Sequence, residues 1–128
     1  MERETLIFSL LGSILSFLFG AFDVPLKILV VFICSDFIVG LLKGWYMGKL
    51  SSQVGYKGII KKAGILFVII IATMLDILIG QLIFRVPVCY FFIAIEGISI
   101  LENLGQIGVR IPPFLLDKLA QLKDDNDK

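Results

Sequence analysis

The feature that most constrains this chain is a series of long apolar stretches from which charge is nearly absent. Charged side chains gather at the N-terminus, in one central segment and at the C-terminus. With 58% hydrophobic and 18% charged residues in 128, there is too little charge to cover a soluble domain of this length. Membrane spans are therefore the first expectation. An all-α fold follows, because an open strand cannot satisfy its backbone in lipid.

Four runs qualify as spans. The first, residues 5–22, carries no charge, and its 18 residues give about 27 Å of helix, just enough to cross. Met1-Glu2-Arg3-Glu4 is not the basic start of a signal peptide, so this run is expected to be retained. The second is 25–42, with Lys27 near its start and Asp36 inside it. The third is 63–84, with Asp76. The fourth, 86–104, is the weakest, because Glu96, Glu102 and Asn103 interrupt it. A three-span version is the alternative, with the fourth run in the interface or the first outside the membrane. The chain reads as a single domain, 1–128. A basic loop at 43–62 separates spans two and three, and a short cytoplasmic tail covers 105–128. In the tail, Pro113 can open a short helix with Leu115, Leu119 and Leu122 on one side. The last residues, KDDNDK, read as solvated and disordered.

Charge sets the expected orientation. Four spans put Arg3, Lys43, Lys49, Lys57, Lys61, Lys62, Arg110, Lys118, Lys123 and Lys128 on one side, ten of the twelve basic residues. Only Lys27 and Arg85 fall on the other, where Arg85 reads as a plain anchor. The positive-inside rule then predicts both termini in the cytoplasm, with Lys43, Lys49, Lys57, Lys61 and Lys62 as topology determinants.

Four acids lie at membrane depth: Asp36, Asp76, Glu96 and Glu102. One charge at the centre of a membrane helix costs about 2.5–3.5 kcal/mol, so these groups must face one another, a cation or water. Glu96, Ser99, Asn103 and Gln106 form one polar stripe on the fourth run. Asp36, Asp76, Glu96, Ser99, Glu102 and Asn103 are thus the candidate pore-lining or trigger residues. Glu102, near the cytoplasmic end, can also snorkel. Gly12, Ser16 and Gly20, then Gly40, Gly44 and Gly48, and Gly80 beside Asp76, mark small faces suited to helix packing.

Enzyme chemistry finds no support. The chain has no histidine, which removes the usual triads and imidazole metal sites. Cys34 and Cys89 sit within apolar runs and read as small hydrophobes. No phosphate loop or dinucleotide fingerprint is present. No cofactor, metal or nucleic-acid partner is expected. The expected partners are the bilayer and further copies of the chain.

Several segments together resemble a known family. They are Asp36-Phe37-Ile38-Val39-Gly40, Gly48-Lys49, Ser51-Ser52, then Gly55, Gly58, Lys61 and Lys62. The segment Glu96-Gly97-Ile98-Ser99-Ile100-Leu101-Glu102-Asn103 follows, then Gly108, Ile111-Pro112 and the Leu- and Lys-containing stretch 119–123. This ordered set, over about 26–125, resembles the toxin secretion/phage lysis holin family. The resemblance implies a homo-oligomer that makes holes in the bacterial cytoplasmic membrane. Through them an endolysin, or in some relatives a toxin, would pass without binding stably. The acids at membrane depth, rather than the resemblance, give the expected trigger: loss of membrane potential, or a protonation change at Asp36, Asp76 or Glu96. A small ion channel or transporter subunit is the alternative function.

Overall fold

The computed structural model describes residues 2–127, all of whose regular structure is helical. Five helices follow one another: α1 (Glu2–Phe19), α2 (Val24–Tyr46), α3 (Ser52–Ile79), α4 (Arg85–Ile107) and α5 (Pro113–Asn126). Lys128, counted above with the basic side, lies outside the described residues.

Local chemistry sets the boundaries. Asp23 caps α2 by accepting from the Leu26 N–H at 3.3 Å, with Pro25 in the first turn. Ser51 caps α3 by accepting from the Val54 N–H at 3.2 Å. Gly80 ends α3 in the left-handed conformation, φ 79°. Pro113 opens α5, as the sequence predicts.

Three helices, α2, α3 and α4, are long and apolar enough to cross a bilayer. At 1.5 Å per residue they measure about 34, 42 and 34 Å. The protein is therefore an all-α polytopic membrane protein with three candidate spans. The expected first span is shorter than its apolar run. Helix α1 stops at Phe19, and residues 20–23 turn sharply into α2, so Thr5–Phe19 provides only about 22 Å of uncharged helix.

The expected basic loop at 43–62 is also much shorter. Helix α2 continues to Tyr46 and α3 begins at Ser52, leaving only 47–51 as a link. Lys43 thus belongs to α2, and Lys57, Lys61 and Lys62 to α3. The last tail residues are helical through Asn126 rather than disordered.

Helix α4 is the hub. It packs most extensively on α2, then on α5, and less on α3, while α1 leans on α3. The small core holds Leu29, Ile69, Cys89 and Ile93, with Phe19, Phe32, Ile65 and Leu122 around it. Large apolar side chains such as Leu78, Leu82, Phe67 and Phe8 remain outside. That surface suits hydrocarbon, since lipid-facing residues need no protein cover.

Candidate functional site

Two polar clusters lie at different depths among the described residues, one near the middle of the bundle and one where α3 turns into α4. The first joins α2, α3 and α4. The Lys62 ammonium on α3 donates to Asp36 Oδ2 on α2 and to Glu96 Oε2 on α4. Glu96 is buried, and the Lys62 and Asp36 side chains are nearly so. Asp36 and Glu96 each lie about 17 Å along their helices from the opposite end, which is mid-bilayer depth. At that depth a lone carboxylate is costly, and the lysine offsets it. One ammonium between two carboxylates leaves one negative charge unless the cluster also holds a proton.

Around this trio a cavity of about 470 Å³ opens between α2, α3 and the polar stripe of α4. Asp36, Glu96, Ser99 and Asn103 line it, as do Gly40, Gly44, Lys49 and Lys61. Asn103 Oδ1 accepts from the Lys43 ammonium at 3.2 Å. Asp36 Oδ1 is buried without a hydrogen-bond partner, and the Ser99 hydroxyl lies beside Asp36. Nothing lies within 4 Å of a Cβ placed at Gly40 of α2 or Gly55 of α3, so these two lining glycines leave space open.

The second cluster closes the end of the bundle where α3 turns into α4. Asp76, buried near the end of α3, accepts three backbone N–H groups at the start of α4. They come from Ile83 (3.1 Å), Phe84 (2.7 Å) and Arg85 (3.0 Å). Phe84 offers no side-chain cap of its own, so Asp76 does that work from a neighbouring helix. Arg85 is buried too, contrary to its reading as a plain anchor. Its guanidinium donates to the Phe19 and Ala21 carbonyls and to both oxygens of Asp23, at 2.9 and 3.1 Å. The hydrogen-bonded guanidinium holds the Asp23 carboxyl below its usual range. The arginine side chain runs across Gly20, whose missing Cβ would lie 2.6 Å from Arg85 Nε; that glycine also has φ +79°.

The predicted residues therefore divide. Asp36, Glu96, Ser99 and Asn103 come together on one cavity. Asp76 lies apart from them, as a main-chain cap. Glu102 is exposed and outside the cluster. Gly12, Ser16 and Gly20 line a second cavity of about 380 Å³ between α1, α2 and Leu66 of α3. Nothing lies within 4 Å of a Cβ placed at Gly12, Gly40, Gly48 or Gly80, so these positions leave room within the protomer. Gly44 approaches only Leu50.

Lys62 is the residue that sequence reasoning misplaced, by grouping it with a solvent loop. A signal was available. Lys62, Ile69 and Asp76 recur every seven residues, with Ile65, Ala72 and Thr73 between them, and together they form the inward stripe of α3. Followed back from Asp76, that stripe ends on Lys62.

Comparison with known proteins adds identity to this geometry. The sequence profile of the bacteriophage holin family matches residues 13–124, which include every member of both polar clusters. An uncharacterized protein of Clostridium perfringens is 45% identical over 119 residues, covering 91% of this chain and 88% of its own. One from Listeria monocytogenes is 44% identical over 122 residues, covering 91% and 87%. A protein of Bacillus phage phi105 described as a probable holin is 36% identical over 116 residues, covering 88% and 84%. No solved structure matches. Because the profile runs through nearly the whole chain and the phage relative is covered over most of its length, this membrane protein belongs to the bacteriophage holin family.

Proposed function

We propose that the protein oligomerises in the bacterial cytoplasmic membrane and opens holes large enough to release an endolysin, or in a secretion setting a toxin. The observation that carries this reading is the Asp36–Lys62–Glu96 cluster at mid-bilayer depth beside a cavity. Charges kept there stabilise a compact protomer only while paired. They also form a polar surface that can be shared with other copies once α2 and α3 separate.

In this reading Asp36 and Glu96 are the trigger, with Ser99 and Asn103 beside them, and Asp76 supports the fold. A proton gained or lost among two carboxylates and one ammonium changes the cluster between neutral and charged. Membrane potential acts on the same charges. The open small faces at Gly12, Ser16, Gly40 and Gly80 provide contact surfaces between copies. Helix α1 forms a short fourth crossing along α3, so both termini start from the cytoplasmic side, with Lys43, Lys49, Lys57 and Lys61 at that end.

The test is induced expression in bacteria with release of a cytoplasmic hydrolase as readout. Abrupt, saturating release after a lag is expected, with shifted timing in Asp36→Asn and Glu96→Gln. Graded ion leakage without protein release would support an ion channel instead. Unchanged timing in both variants would remove the trigger from this cluster.

A further inference from the structure

Helix α5 carries a charged face at a depth where lipid does not tolerate it. It folds back antiparallel along α4. A Cβ at Gly97 would lie 3.0 Å from Leu119 Cδ1 and 3.1 Å from Phe32 Cε2, so Leu119 and α2 meet α4 where it has no side chain. Gly97 lies one residue past the midpoint of α4. Leu122, one turn further, packs against the core of Leu29, Ile69, Cys89 and Ile93. Residues 120–126 therefore lie beyond the middle of a membrane-crossing helix.

Past the exposed Phe114 and Leu115, the outer face of α5 from Asp117 onward is polar. Asp117, Lys118, Gln121, Asp124 and Asp125 are all exposed, and among the described residues none of them is ion-paired. Each charge facing hydrocarbon near mid-bilayer would cost about 2.5–3.5 kcal/mol. Three or four of them outweigh what Leu119 and Leu122 contribute by burial, about 1.5–3 kcal/mol each. Docked α5 thus cannot face lipid. Only two environments suit it: the aqueous membrane surface after leaving α4, or water that reaches the membrane interior. The docking site is shaped for it, with the leucine edge of α5 seated on Gly97. At about 21 Å, its 14 residues cover much of the hydrocarbon thickness.

Resting on the hole-forming reading above, we propose that α5, seated on α4, forms the water-facing wall of the assembled hole. Its Asp117, Lys118, Gln121 and Asp124 face the lumen. The inward acids of the Lys62 cluster then lie behind this wall rather than on it. In a lone protomer within lipid, the same helix leaves α4 and rests at the membrane surface.

Single cysteines in a Cys34→Ala/Cys89→Ala background test this, using a membrane-impermeant maleimide on cells after holes have opened. Asp117→Cys and Asp124→Cys are expected to react quickly. Leu119→Cys and Leu122→Cys, on the docked edge, should react at least about tenfold more slowly, because buried thiols are shielded from reagent. Leu78→Cys is the lipid-facing control. Equal rates at 122 and 124 would mean that α5 is undocked and would overturn the proposal. So would an Asp124→Cys as protected as Leu78→Cys. If the parent chain releases no hydrolase, the hole-forming reading falls and takes this inference with it. Release with position 124 protected defeats only the inference.

Discussion

The middle of this bundle and the end where α3 turns into α4 both bury carboxylates, but they satisfy them differently. At one end Asp76 is held by three main-chain N–H groups, and Arg85 by two carbonyls and Asp23. Main-chain partners cannot rotate away, so that end is fixed. At mid-depth, Asp36 and Glu96 depend on one flexible lysine beside a cavity of about 470 Å³. The same cost of burying charge is met in one place by rigid backbone and in the other by a side chain that can let go. The proposed function, stability first and rearrangement later, would use both kinds of site.

Substitution should separate them. The largest effect is expected at Asp76. Asp76→Ala strips three buried N–H groups of their acceptor and should cost about 3–5 kcal/mol, read as loss of accumulation in the membrane or a lower unfolding midpoint in detergent. Asp76→Asn, which keeps an acceptor, should cost less. Next comes Lys62→Met, at about 2–3 kcal/mol, because water reaching the cavity relieves part of the loss. Here the sharper result is rescue. Adding Asp36→Asn and Glu96→Gln removes the stranded charges and should restore most of the stability. No comparable rescue is expected at the Asp76 end. A failure of rescue would show that Lys62 matters for packing rather than charge.

The smallest effect concerns pH. Arg85 lowers the Asp23 carboxyl below its ordinary 3.8. A lowered folded value means that its contribution is fully present above that pH, and is lost as pH falls through the lower folded value. The unfolding midpoints of the parent and of Asp23→Asn should therefore differ at neutral pH and converge in stronger acid. The difference will be modest, because the Asp23 side chain is 38% exposed and solvent screens the pair.

How much the sequence foretold follows the same division. The three crossings were legible because hydrocarbon thickness and charge exclusion act on whole segments. That Asp36 and Glu96 would need each other, a cation or water also followed, since isolated charges are costly there, but which of these would meet them did not. Nor did the identity of the cation, because counting lysines by segment ignores which way each points. The Asp76 cap was hidden for another reason. Its partners are main-chain groups eight or nine residues away, and side-chain periodicity carries no record of them. The docking of α5 was half visible in its leucine edge, but the Gly97 seat depends on tertiary approach.

The links between helices are all short, none longer than five residues. Sequence neighbours are therefore leashed together in any rearrangement. The most extensive contact in the molecule, α2 against α4, joins helices that are not neighbours in sequence, and no link enforces it. It is the one large interface that two copies can trade without breaking a strand of covalent chain. If the chain assembles as proposed, copies would reconnect by exchanging partners across that seam, each hairpin remaining whole while the assembly grows.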